Sequence, residues 1–228
     1  MKFTYYGHAC FGLEVNSNNL LFDPFITQNE LAKAIDIKQI KADYILISHG
    51  HFDHVADVEA IAKLTNAKIV TNWEISQWFA AKGLENYHPM NTGGKWNFEF
   101  GSVKCVTAQH SSSLPDGSNG GNPVGFVIDD NNEHCIYYSG DTALTMDMQL
   151  IPLTSKKLSC AILPIGDNFT MGIEDAILAA EFCKVNMVIG VHYDTFGFIK
   201  VDHKKAVESF AKKGVKLLLP QIGETIEI

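Results

Sequence analysis

Four apolar residues, Tyr44-Ile45-Leu46-Ile47, run without a break into Ser48-His49-Gly50-His51-Phe52-Asp53-His54. The apolar run reads as a buried strand, so the polar residues emerge at a strand end. Layered α/β folds place their site residues at such ends, and the sequence that follows keeps the matching rhythm. A helix is expected over about Asp57 to Thr65, with Asp57 as its N-cap and Val58, Ile61 and Ala62 on one face. A strand at Lys68 to Thr71 comes next, then a helix with Ile75, Trp78 and Phe79 sharing a side. Strand, helix, strand, helix marks an α/β architecture.

Ahead of this unit, Phe3 to Tyr6, Cys10 to Val15 and Leu20 to Phe22 read as short strands. Beyond it, Trp96 to Phe100, Val103 to Thr107, Val124 to Ile128 and Cys135 to Tyr138 read as antiparallel strands. Gly101-Ser102 and Asp130-Asn131-Asn132 supply turn chemistry between them. The α/β rhythm returns in the last third. Strands at Cys160 to Leu163, Met187 to Val191 and Lys216 to Leu219 alternate with helices at Ile173 to Lys184 and Asp202 to Lys213. Gly214 is placed to cap the second of these helices. One long irregular stretch, Ser111 to Pro123, is rich in Gly, Ser and Asn; it reads either as a loop closing over substrate or as plain surface. With no Pro-rich or charged linker, residues 1–228 read as one domain, two sheets with helices outside.

Charge and cysteine usage narrow the function classes. The 18 basic and 26 acidic residues leave a net charge of −8, which works against nucleic acid or an anionic membrane as partner. No run approaches the roughly 18 apolar residues of a membrane span, and the first residues lack the apolar stretch of an export signal. The five cysteines are odd in number, widely spaced and without a C-x-x-C pair. That argues against a disulfide framework or a cysteine zinc knuckle, and for a reducing, cytoplasmic setting. A chain of this length buries roughly 70% of its unfolded surface and needs no such staples.

Chemistry concentrates in the pattern H-x-H-x-D-H at 49–54. Side chains at i and i+2 project to one side of an extended segment, so His49, His51 and Asp53 can converge, and His54 turns in as the helix begins. Imidazole and carboxylate suit zinc, manganese, iron or nickel. With nine histidines and 14 aspartates in the chain, random placement gives this pattern in roughly one chain per thousand. Four candidate ligands so close together need others from elsewhere. His110, Asp141 and His192 each stand where an apolar strand gives way to polar residues.

Taken in order, the motif at 49–54, then His110, Asp141 and His192, the chain resembles the metallo-β-lactamase superfamily. That resemblance implies an α/β fold, a four-layer αββα sandwich with a dinuclear metal site between its sheets. It also implies a ligand set: His49, His51 and His110 for one divalent ion, Asp53, His54 and His192 for the second, and Asp141 bridging. Gly7-His8-Ala9, Leu21-Phe22-Asp23-Pro24 and the segment from Pro164 to Gly172 look like a bacterial branch of metal-dependent hydrolases related to ascorbate-6-phosphate lactonases. The cofactors so implied are two divalent ions, zinc foremost, with manganese, nickel or iron as the other choices. Such a pair lowers the pKa of a shared water and polarises a carbonyl or phosphoryl oxygen.

The expected partner is therefore a small anionic ester: a phosphodiester, a lactone or a phosphorylated lactone. Asp53 is expected to hold the nucleophile in line, and His8 to touch substrate or support the site. Two other classes compete. A di-iron redox enzyme on this fold typically has glutamate where His51 stands, together with a flavin domain. A non-catalytic structural zinc site is cysteine-rich and four-coordinate, unlike these N and O donors. Around the site, Asp23 is expected to fix the tautomer of a ligand histidine. Asn168 and Thr170 precede a helix whose N-terminal amides suit an anion, with Thr170 otherwise its cap. His88, His134 and His203 are expected at the surface, and Trp78 and Phe79 in the core.

Overall fold

The computed structural model describes residues 1–228 and contains two seven-stranded sheets. Lys2–Gly7 (β1), Cys10–Val15 (β2) and Asn18–Phe22 (β3) form an antiparallel meander. Tyr44–Leu46 (β4), Lys68–Asn72 (β5) and Tyr87–Met90 (β6) extend it in parallel. Phe52–Val55 (α1), Val58–Thr65 (α2) and Trp73–Ala80 (α3) make the crossovers.

In the second sheet, Lys95–Phe98 (β7), Gly101–Thr107 (β8), Val124–Asp129 (β9) and Cys135–Tyr138 (β10) are antiparallel. Cys160–Pro164 (β11), Met187–Val191 (β12) and Lys216–Leu218 (β13) follow in parallel. Ile151–Thr154 (α4), Ile173–Phe182 (α5) and His203–Ala211 (α6) connect them. The last strand, Thr225–Glu227 (β14), returns to the first sheet and pairs antiparallel with β1. Each sheet thus carries three antiparallel pairings and then three parallel ones.

Side-chain alternation decides which face goes where. From β3 and β4, Leu20, Phe22, Tyr44 and Leu46 enter the core between the sheets. Their neighbours Leu21, Ile45 and Ile47 point the other way and pack with Val58, Ile61, Ile75 and Phe79 of α2 and α3. Phe11 stacks on Phe22 at 4.4 Å, and both meet Tyr138 of the second sheet edge to face, at 4.9 and 5.6 Å. Each such buried side chain contributes about 1.5–3 kcal/mol. With α5 and α6 packed on the second sheet, the layers are the αββα sandwich expected from the sequence. No helix is long and apolar enough to cross a membrane.

The carboxyl ends of β1, β3, β4, β8, β10 and β12 meet at one edge of the sandwich, where backbone bonds join the two sheets. Val124 N donates to Ser48 O at 2.9 Å, and His192 N donates to His8 O at 2.8 Å. Gly140 turns at this junction with φ +61°, where an added Cβ would stand 2.7 Å from Ser48 Cβ.

Several local expectations are corrected. Gly101-Ser102 does not form a turn; it opens β8, because Gly101 lies against β9 so closely that a Cβ would come within 2.1 Å of Asp129 O. Asp57 stands at the N-cap position of α2, but its carboxylate makes no cap bond. It accepts instead from Ile26 N, Thr27 N and Thr27 Oγ1. Thr170 does not cap α5, whose N-cap is Gly172. His88 lies in β6, half-buried and 4.8 Å from the Trp96 ring.

Candidate metal centre

The motif at 49–54 leaves β4 and crosses into α1, with His51 at the N-cap of that helix. His110 follows β8, Asp141 follows β10 and His192 follows β12. The structure brings all of them together. One oxygen, Asp141 Oδ2, lies 2.9 Å from His192 Nε2, 3.3 Å from His54 Nε2, 3.7 Å from His110 Nε2 and 4.0 Å from His49 Nε2. His49 Nε2 and His51 Nδ1 face each other at 3.0 Å. Asp53 Oδ2 is 3.7 Å from His192 Nε2 and 3.9 Å from His54 Nε2.

These atoms fall into ion-sized groups: His49, His51 and His110 in one; His8, Asp53, His54 and His192 in another; and His49, His54 and Asp141 between them. The donors fit divalent cations. Every one is nitrogen or oxygen, and all five cysteines are buried, unpaired and absent from these groups. His54 Nε2 and Asp141 Oδ1 are buried with no hydrogen-bond partner, each a cost of about 1–3 kcal/mol that a cation would relieve.

The buried carboxylates and imidazoles shift one another's titration. Burial works against charge on His54, but Asp141, Asp23 and Asp53 outweigh it and hold that imidazole well above the ordinary histidine range. His192 is likewise buried, yet Asp141 and Asp53 lift it to about 9. Burial alone would raise Asp141; His192 and His54 instead keep it well below the usual carboxylate range. Burial, with the charge on His54, pushes His49 well below the histidine range, and burial also lowers His51 and His110. A divalent cation binds only the unprotonated imidazole, so metal affinity at His54 and His192 should rise with pH.

A second layer of side chains fixes the ligand rings. Asp23 leaves β3 with φ +41° and is fully buried. Its carboxylate accepts from Ser48 N at 2.7 Å, Ser48 Oγ at 2.6 Å, Tyr138 Oη at 2.6 Å and His54 Nδ1 at 2.9 Å. His49 Nδ1 lies 2.9 Å from Ser48 Oγ, whose proton goes to Asp23, so that nitrogen is the donor and Nε2 is free to bind metal. Ser48 and Tyr138 were not singled out from sequence. Their adjacency to the motif and to Asp141 was the available signal.

His8 is 1% exposed and does not line the open cavity. Its Nε2 is 2.9 Å from Asp53 Oδ2 and its Nδ1 is 3.0 Å from Thr195 Oγ1. Of the two roles expected for it, the geometry gives support of Asp53 rather than substrate contact. Burial, then His192, lowers it to about 4, so it is neutral at pH 7. His8, Asp23 and His192 all hold left-handed backbones, with φ of 56°, 41° and 55°; such conformations cost of order 1 kcal/mol or more each and gather at functional sites.

Above the cluster opens a cavity of about 720 Å³, lined by His51, Asp53, His110, Asp141 and His192, by Ser111 and Thr195, and by the rings of Phe52, Phe169, Phe196 and Phe198. Of the 111–123 stretch, Ser111 lines the cavity, and residues further along are tied to β5 and α3. Leu114 is buried, Asn72 Nδ2 donates to Gly120 O and Asn122 O, and Trp78 Nε1 donates to Asp116 Oδ2. Trp78, expected in the core, is half-buried against it. His134 and His203 lie outside the cluster, bonded to Asp130 and Asp194.

The family described as "Beta-lactamase superfamily domain" matches residues 18–193. A protein of Flavobacterium johnsoniae named UPF0173 metal-dependent hydrolase is 56% identical over 228 residues, 100% of both chains. Among solved structures, Igni18 of Ignicoccus hospitalis, described as a novel metallo hydrolase, superposes with a TM-score of 0.89. It is 33% identical, over 99% of this chain and 97% of that one. An isothiocyanate hydrolase from Delia radicum gut bacteria shares the fold at a TM-score of 0.79 and 20% identity, covering 100% of this chain and 99% of that one.

Proposed function

The chain belongs to the beta-lactamase superfamily and is a metal-dependent hydrolase of that fold; from that premise we propose that it holds two divalent ions and cleaves a small ester. His49, His51 and His110 would hold the first ion, Asp53, His54 and His192 the second, and Asp141 would stand between them. The observation that carries this reading is the single Asp141 oxygen within 4.0 Å of four imidazoles drawn from both sheets. When bound, the ions make hydroxide available near neutral pH and polarise the ester oxygen.

The remaining steps belong to side chains. Asp53 is partly exposed to the cavity and would orient the attacking solvent, held from behind by His8. His8 is neutral and tied to Thr195, so it holds Asp53 in one rotamer and serves as a positioning residue. Asp23, through Ser48 and Tyr138, keeps His49 and His54 presenting Nε2 inward. The substrate expected from the sequence is a small anionic ester: a phosphodiester, a lactone or a phosphorylated lactone. Five buried free thiols support a reducing, cytoplasmic setting.

The test is metal analysis beside a substrate panel. Protein purified with zinc, manganese or nickel should carry about two ions per chain and turn over at least one chromogenic phosphodiester, lactone, thioester or isothiocyanate. One tightly held ion per chain with no turnover across the panel would refute the dinuclear hydrolase.

A further inference from the structure

Four phenylalanines ring the cavity mouth, and each remains substantially exposed: Phe198 at 78%, Phe169 at 49%, Phe52 at 44% and Phe196 at 36%. They come from three separate segments, yet all reach one opening. Phe52 and Phe196 both rest on the buried Phe25, at 5.8 and 6.3 Å between ring centres. Phe169 and Phe198 face each other edge to face at 6.3 Å. A soluble protein seldom gathers large apolar side chains around one opening unless something apolar docks there.

The loop presenting Phe196 and Phe198 is braced open. Asp194, with φ +63°, donates its N–H to Ile199 O at 2.7 Å, and its carboxylate accepts from Val201 N at 3.0 Å and pairs with His203 Nε2 at 2.6 Å. The two rings therefore project from a built turn and do not fold back into the core.

Charge points the same way. No lysine lines the cavity, and the chain contains no arginine at all, its 18 basic residues all being lysine. The nearby Lys200 is committed to Asp194 O at 2.7 Å. Beyond the metal ligands, only Ser111 and Thr195 offer polar side chains to a ligand. A phosphate or carboxylate on the non-reacting part of a substrate would meet aromatic faces and no cation.

We propose that the site selects an uncharged carboxylic ester or lactone bearing a flat hydrocarbon group, and that Phe52, Phe169, Phe196 and Phe198 hold that group. This rests on the hydrolase reading above and narrows it, replacing the anionic esters expected from the sequence with uncharged ones. Water adds across the acyl–oxygen bond, which breaks to give a carboxylate, a proton and an alcohol.

The experiment compares four esters on the zinc-loaded full chain by pH-stat: methyl acetate, methyl phenylacetate, benzyl acetate and monomethyl succinate. At least one phenyl ester should exceed both methyl acetate and monomethyl succinate in kcat/KM by ten-fold or more. In a Phe169→Ala/Phe198→Ala variant with unchanged metal content and circular dichroism, that ratio should fall at least ten-fold. Preference for the succinate, or equal rates on all four, overturns the proposal while leaving the hydrolase reading intact. If none of the four turns over, the ester assignment is overturned; the hydrolase reading falls only if the wider panel is silent too, and fluorine NMR of 4-fluorophenylacetamide decides the rim by itself. Line broadening by the wild type that the double variant loses supports the aromatic site; no broadening by the wild type overturns it.

Discussion

The floor and the rim of the cavity are built on opposite principles. The floor is polar and largely buried, and Asp23 alone takes bonds from Ser48, Tyr138 and His54. The rim is apolar, exposed and touched from one side only. Such a floor would constrain how a divalent ion is held, because the rings of His49 and His54 are set through Ser48 and Asp23 before any ion arrives. A rim so loosely packed can accept different shapes without disturbing the chemistry below. The contrast separates what does the reaction from what chooses the molecule.

The floor should break first and hardest. His51→Ala or Asp141→Ala should remove activity to background, a loss of roughly a thousand-fold, with the fold intact by circular dichroism. Full turnover in either variant would contradict the ligand assignment. Asp23→Asn, one step back from the metals, should cost about 10–100-fold in metal affinity or activity; a binding titration with zinc reads this directly.

Stability sharpens the same comparison. Phe25 is 2% exposed beneath the rim, and Phe25→Ala should cost about 3–5 kcal/mol. Phe198→Ala, at the exposed lip, should stay within about 0.5 kcal/mol. Urea denaturation of the two variants distinguishes them, and equal losses would mean the rim is structural after all.

The smallest effect is on pH. In chelated protein, His8 and His49 titrate below the ordinary histidine value, so the unfolded chain binds protons first and stability falls as pH drops below about 6.5. His54 and His192 titrate above it, so their contribution is complete below that value and is lost as pH rises, through about 9 for His192. The melting temperature of the metal-free protein should therefore peak near pH 6.5. A monotonic profile would show that these imidazoles do not keep their charges as described.

Much of this was legible in the sequence, for a definite reason. β10 and β12 run residue for residue as expected because buried strands leave unbroken apolar runs, and β2 does so because its buried and exposed residues alternate. The histidines and aspartates at their ends stood out because a strand's last apolar residue marks where the chain surfaces. What escaped notice was decided by distant neighbours. β6 contains Pro89, tolerated because it lies at a sheet edge. β14 is only three residues long and is defined by its pairing with β1. Asp57 was drawn from its helix by the amides of Ile26 and Thr27. The aromatic rim had no local pattern, since a lone phenylalanine does not disclose whether a core or a cavity awaits it.

His49, His51, Asp53 and His54 descend from one sheet, whereas His110, Asp141 and His192 descend from the other. Ions gripped by both groups would act as fasteners across the sandwich, so neither layer could peel away without first surrendering its cargo. Hydrogen exchange in the two layers should then slow in step as zinc is added. Starvation for metal would loosen the whole molecule and expose it to proteases, tying its lifetime in the cell to the supply of its cofactor.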